Sequence, residues 1–460
     1  MSGRFPLCRI AALGLAFWMV GGVFRAGAQP TGRVDTLTAD AAVQRALTEH
    51  PRVQAARQQR TAAAASVREA RSEWFPVIEG QARYRRLSEN VDYTVDLPTL
   101  PGSGGERVTF APAILNRYAA QARVEQPLFT GFRIPNQLEA AQAQTRAARA
   151  QVDATRTTVA YETRAAYWRL YEAQAREAAA SDALRQIERR LTDVQNRQAE
   201  GMATETDVLR VKARRDQVRL EQIQAQNDVQ TARRQLNDKL RRPLDAPVAL
   251  ADTVTIDAPA LPDASRLVAR AREHRGDLEA LRQTVTARDA EVDVAQSGWY
   301  PQISLFGSYL YARPNEQLFP PEDQFEGSWE AGVSLSWRLS VGGQTDAAAD
   351  RARAQRLAAR YELQDRRQAV TVEVRTQVQN VRQAREAVRA AETSVQSAQE
   401  AYRSAQSRYE EGMAVVSDLL DAEQARRRAR ARLAAAQAEY ALARAALDRA
   451  LGRGTTSASP

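Results

Sequence analysis

The sequence predicts a mainly α-helical chain that carries four amphipathic β-strands and is built as two homologous halves. Three observations predict it. The phrase Glu200-Gly201-Met202-Ala203 returns 211 residues later as Glu411-Gly412-Met413-Ala414, each copy interrupting a charged, alanine-rich tract. At the same offset Asp207 falls on Asp418, Leu209 on Leu420, Gly131 on Gly342 and Leu236 on Leu447, an ungapped register that marks an internal duplication. Between the tracts the apolar period changes from about 3.6 to 2, the change from helix to strand.

The first element is a leader. Arg4 and Arg9 precede an apolar run from Ile10 to Phe24, and Ala26-Gly27-Ala28 supplies a small-residue cleavage site, so residues 1–28 read as a secretory signal peptide. The run is too short for a membrane helix, which needs roughly 20 residues. Cys8 is the chain's one cysteine and precedes the run, where it cannot carry a lipoprotein anchor; cleavage leaves no thiol for disulfides, metal sites or catalysis. Cleavage also lowers the formal charge from +9 to +6. The basic residues are nearly all arginines interspersed with Glu, Asp and Gln along helices, the pattern of solvated helix faces rather than of a nucleic-acid surface.

The first repeat spans 29–242 and the second 263–452, with a linker at 243–262 and a disordered tail at 453–460. Each begins with short helices that end near a histidine and an aromatic-aromatic-proline signature: His50 precedes Trp74-Phe75-Pro76 by 24 residues, and His274 precedes Trp299-Tyr300-Pro301 by 25. A structural role is expected for both histidines, since two imidazoles without thiols make a poor metal site. The strand regions follow, in hairpins at about 77–128 and 302–339. Ile78, Gly80, Ala82 and Tyr84 alternate with Glu79, Gln81, Arg83 and Arg85, and Tyr118 to Val124 follows the same rule. Ile303, Leu305, Gly307, Tyr309 and Tyr311 share one face, and Trp329, Ala331, Val333, Leu335 and Trp337 alternate with Glu330 to Arg338. Such strands of about ten residues are long enough to cross a bilayer when tilted. Trp74, Phe75, Trp299, Tyr300 and Trp337 sit at strand ends, as interface aromatics or as packing at the helix-to-strand junction.

Long helical hairpins close each repeat, at 135–241 and 345–451. After Pro135, which opens the first, their tracts lack glycine and proline except at the tip phrase, where Gly201 and Gly412 supply the left-handed residue that ends a helix, while Thr204 and Ser417 lie where the next helix is capped. Apolar positions are sparse and small, which suits side-by-side coiled-coil packing and not a wide core. Four strands cannot close a barrel and lipid tolerates no open edge, so several chains must combine; eight strands from a dimer and twelve from a trimer both satisfy the even-number pattern.

These features, with Tyr409-Glu410-Glu411-Gly412, Ser417-Asp418-Leu419-Leu420-Asp421-Ala422 and Gln126-Pro127-Leu128-Phe129-Thr130-Gly131, resemble the TolC-like outer membrane efflux proteins over about Thr38 to Gly452. The resemblance implies a homotrimer: a twelve-stranded outer-membrane β-barrel, four strands per chain, continued by a periplasmic α-helical coiled-coil barrel. It implies a passive exit duct in an efflux or type I secretion system, working with a periplasmic adaptor and an inner-membrane transporter, for small molecules, metal ions or proteins. The hairpin tips Gly201, Met202, Gly412 and Met413 would then meet the adaptor. Asp418 and Asp421 match the aspartates of the narrow periplasmic entrance, and Asp207 and Tyr409 match a latch that holds the tips closed. Some relatives carry an arginine where this chain has Ala414, so the latch here is expected to differ.

Spacing bears independently on the aspartates: three residues apart, they share a helix face, and three chains would gather six carboxylates that attract cations. Solvated residues favoured near a helix N-terminus are the competing reading. Alternation points Arg83, Arg85 and Arg123 into a barrel lumen. No nucleophile-base pair, phosphate loop or metal constellation is present, so neither enzyme activity nor a cofactor is expected. A periplasmic adaptor or coiled-coil scaffold is the alternative function; it explains the helical hairpins but not the amphipathic strands.

Overall fold

A computed structural model describes residues 36–89, 93–96, 107–111, 113–252, 254, 261–319 and 321–454. The predicted leader, residues 455–460 of the tail and part of the 243–262 linker lie outside them. The first repeat runs β1 (Thr36–Leu37), α1 (Ala39–Glu49), α2 (Pro51–Ser72), β2 (Val77–Arg86), β3 (Tyr93–Asp96), β4 (Arg107–Ala111), β5 (Asn116–Phe129), α3 (Arg133–Ala199) and α4 (Glu205–Lys239). After β6 (Ala249–Leu250), the second runs α5 (Ala264–His274), α6 (Gly276–Gln296), β7 (Gln302–Arg313), β8 (Glu326–Ser336), α7 (Gln344–Glu410) and α8 (Val416–Ala450). The long helices α3 and α7 are each 67 residues and their partners α4 and α8 each 35, which is the duplication in physical form.

The helical hairpins are coiled coils with thin seams. In α4 the buried residues Val211, Val218, Ala225 and Ala232 recur every seven positions, as do Ala173, Ala180, Ile187 and Val194 in α3. A strict seven-residue seam keeps two helices facing each other only through a left-handed supercoil. One cluster gathers α1 to α4 around Tyr167 and Leu170, and a second gathers α5 to α8 around Val370, Val374 and Leu278. A third, at the far tip, draws on all four long helices. The β1–β6 pair is tied to α3 by Tyr167, whose hydroxyl donates to the Leu37 carbonyl at 2.9 Å; burial pushes this phenol up to about 12.

Four strands form one antiparallel sheet in the order β2-β5-β7-β8. The register pairs Arg83 with Ala119, Arg123 with Glu79 and Ser308, and Ser308 with Glu330, so polar positions line up across all four strands. On the opposite face Tyr84 pairs with Tyr118, Val124 with Gly307, Leu305 with Val333 and Tyr309 with Trp329. Among the described residues, strands β2 and β8 each bond on one side only, and every residue of β2 is exposed.

Three details differ from the sequence reading. Beyond the four strands that alternation predicts, the segment between β2 and β5 contains a two-stranded ribbon, β3–β4. His50 caps α2 by accepting from the Arg52 amide, but its positional equivalent is Arg275, the cap residue of α6; both helix caps and tryptophans then share one offset of 225, and His274 is the exposed last residue of α5. Finally, Ser417 lies inside α8, whose cap position is held by Val415 without a side-chain bond. Thr204 does cap α4, in a reciprocal box with Asp207.

Candidate functional site

The sheet offers two chemically distinct walls. Its polar face carries Arg83, Arg85 and Arg123, as alternation requires, and Arg117, which the sequence reading missed because it stands one residue before the segment Tyr118 to Val124. Carboxylates answer these charges: Arg123 lies 3.5 Å from Glu125, and both Arg85, at 3.7 Å, and Arg117 meet Glu316. Ser308 donates to Glu330 at 3.0 Å. The face is therefore mixed in charge rather than a simple cationic surface.

The apolar wall is exposed despite its content, with Ile78, Trp329, Val333 and Leu335 all open. Aromatics gather at both of its ends. At one end Tyr84 meets Tyr118 with ring centroids 4.9 Å apart, and Phe325 stacks on Tyr311 at 5.3 Å. At the other, Phe132 packs edge-on against Phe129 and Tyr300, and the Trp337 indole donates to the Trp299 carbonyl at 3.2 Å. Trp74, Phe75, Trp299 and Tyr300 stay half-exposed or more at this junction. Two aromatic girdles flanking an apolar band are the signature of a sheet that faces lipid. Among the described residues no helix is long and apolar enough to cross a membrane.

At the far end of the helices, Gly201 and Gly412 adopt φ of 76° and 75°, the left-handed conformation that only glycine takes without strain. The Met202 amide donates back to the Arg197 carbonyl at 2.7 Å and the Met413 amide to Arg408 at 2.8 Å, completing the same tip turn twice. Met202 and Met413 project into solvent. Asp418 and Asp421 are exposed on the first turns of α8, while Leu419 between them is fully buried.

The two latch candidates have separate partners. The Asp207 carboxylate accepts from the Thr204 hydroxyl at 2.7 Å and the Thr204 amide at 3.1 Å; these bonds hold it below the usual carboxylate range. Tyr409 is buried in the tip cluster beneath two guanidinium groups of α3, Arg190 at 5.2 Å and Arg197 at 4.8 Å from the ring centroid. Asp193 lies between them on the same face of α3, 3.2 Å from Arg190 and 3.7 Å from Arg197. Among the described residues no hydrogen bond joins Asp207 to Tyr409. The two arginines were not legible as tip contacts because charged helix residues at this spacing usually face water.

A second feature escaped the sequence reading. Arg275 is buried where α6 begins, 2.8 Å from Asp277 and 2.7 Å from Glu373 of α7, and it donates to the Ala450 carbonyl at 3.2 Å. Arg366 reaches Asp277 at 2.7 Å, and Arg449 reaches Glu373 at 3.0 Å. Although burial opposes it, bonding to Arg275 and Arg366 holds the Asp277 carboxyl down at about 2. The network borders a cavity of about 540 Å³ between the two halves. Among the described residues no group of three His, Cys, Asp or Glu side chains is placed to hold a metal ion.

A sheet with one polar and one apolar wall, set at the end of long helical hairpins, agrees with what sequence comparison finds. The sequence model of the outer membrane efflux proteins matches residues 42–240 and 267–453, one segment in each repeat. The chain belongs to the outer membrane efflux protein family. Comparison with curated protein sequences gives no match. Among solved structures, the outer-membrane channel OprN is similar with 24% identity and a TM-score of 0.73, over 90% of this chain and 89% of its own. The CmeC outer membrane channel of Campylobacter jejuni has 18% identity and a TM-score of 0.74, over 92% and 87%. The open-state MtrE outer membrane channel of Neisseria gonorrhoeae has 20% and 0.72, over 91% and 89%. As a member of this efflux family the chain is an exit duct of the outer membrane, with its helices on the periplasmic side. Family and fold are those of channels, and the adaptor or scaffold reading is not favoured.

Proposed function

We propose that three copies of the chain assemble into one duct, a twelve-stranded barrel continued by a helical tunnel, which passively conducts cargo delivered by an inner-membrane transporter and a periplasmic adaptor. The observation that carries this reading is the sheet: two edges, β2 and β8, that are unpaired among the described residues flank an apolar face with aromatics at both ends. In lipid those edges must pair, and the β8 edge of one copy pairing with the β2 edge of the next closes the barrel without new elements. The polar face, with Arg83, Arg85, Arg117 and Arg123, then lines the lumen.

In this assembly the exposed Met202 and Met413 turns form the periplasmic rim, where flexible, polarisable side chains suit contact with adaptor helices. Asp418 and Asp421 ring the entrance on α8. Tyr409 with Arg190 and Arg197 ties α7 to α3, and Asp207 with Thr204 stiffens the start of α4. Asp418→Asn with Asp421→Asn tests the entrance. In planar bilayers under a salt gradient, the double variant should lose cation preference by about threefold or more, as expected for removing six charges from a narrow mouth. Unchanged selectivity in a conducting variant would place these aspartates away from the pore.

A further inference from the structure

Directly behind the two aspartates, Arg426-Arg427-Arg428-Ala429-Arg430-Ala431-Arg432 puts five arginines into seven residues of α8. Three are engaged. Arg426 is buried, stacks on Tyr402 at 3.7 Å and donates to Gln186 at 2.8 Å; Arg427 lies 3.4 Å from Glu221; Arg430 donates to Gln399 at 3.2 Å. Arg428 and Arg432 are exposed, and among the described residues neither side chain has a hydrogen bond or ion pair.

These two share the face of the aspartates. At 100° per residue, positions 418, 421, 425, 428 and 432 fall within an arc of about 80°, and all five are exposed, whereas Leu419 and Arg426 on the far side are buried. At 1.5 Å per residue, Arg428 lies about 10 Å and Arg432 about 16 Å beyond Asp421. That separation is about a Debye length or more at physiological salt, so the acidic ring does not neutralise the arginines. The next carboxylate on this face is Glu439, a further seven residues along.

We propose that Arg428 and Arg432 form an anion-binding band inside the periplasmic entrance, through which the duct takes up cargo bearing phosphate-type or carboxylate groups. The inference rests on the reading that α8 turns Asp418 and Asp421 toward the axis of a three-chain duct. Three copies then set six unpaired guanidinium groups around that axis, each with a planar fork that matches an oxyanion bidentately. Low-dielectric walls concentrate their field.

Inorganic tripolyphosphate, applied to the helical end of single channels in planar bilayers, is the probe. The wild-type channel should be blocked by it. Arg428→Gln with Arg432→Gln should weaken block by about tenfold and shift the reversal potential toward cations. Block that persists in this variant and is relieved instead by Arg83→Gln with Arg123→Gln would move the anion site to the barrel and overturn the proposal. So would a conducting, three-copy wild-type channel that tripolyphosphate does not block. A protein that forms neither trimers nor channels would overturn the duct reading itself, a result separable from these.

Discussion

Tyr409→Ala is expected to raise single-channel conductance or open time several-fold. On the proposed reading that the hairpin tips form the closed end of the duct, opening must part them, and the ring of Tyr409 is what Arg190 and Arg197 hold across the α3–α7 contact, within the cluster of Ile187, Val194, Val211 and Leu419. Cation–π contacts are worth about 0.5–2 kcal/mol each according to their burial. Two contacts at the low end of that range total about 1 kcal/mol, which shifts a closed-to-open ratio about fivefold. Tyr409→Phe keeps the ring and should stay near wild type, because among the described residues the hydroxyl makes no hydrogen bond. A Phe variant as open as the Ala variant would show that the hydroxyl, not the ring, closes the tip.

Arg275→Ala should destabilise the helical region by about 3 kcal/mol, because it removes the partner that Asp277 and Glu373 share and leaves each partly buried carboxylate with a single arginine, Arg366 or Arg449. Its acid dependence follows from Asp277. A carboxyl held at about 2 contributes stability that is fully present above its unfolded value near 4 and is lost as pH falls from there through about 2. The contribution is about 2 kcal/mol, so thermal melting of the detergent-extracted protein, followed by helical circular dichroism, should steepen its decline between pH 4 and 2. In Arg275→Ala that acid limb should flatten. An equally steep limb in the variant would assign the acid sensitivity to other carboxylates.

Much of the architecture was legible because it is written in periods. The offset of 211 residues survives as two helices of 67 and two of 35, and the two-residue alternation placed Arg83, Arg85 and Arg123 on the face where the register puts them. Legibility ended where contacts cross between elements. Thr204 and Val415 occupy matching positions of the two repeats, yet only the first has a hydroxyl to close a capping box, and duplication alone does not reveal that Asp207 is bonded while Asp418 is left exposed. Arg190 and Arg197 look like any solvated helix residues until α7 is laid across them. Arg275 is hidden for the same reason: its partners Glu373 and Ala450 are 98 and 175 residues away. His50 and His274 share a residue type but not a position: the helix-cap geometry repeats at His50 and Arg275, one residue further on.

The most direct test of the account is the native mass of the detergent-extracted protein, measured on the same sample that is then reconstituted into planar bilayers. A mass of three chains together with discrete channels is the predicted result, since a closed ring of sheets satisfies the β2 and β8 edges and the proposed ring is twelve-stranded. A stable monomer that forms no channels would contradict it, because a four-stranded sheet with free edges cannot by itself hold a pore open in lipid.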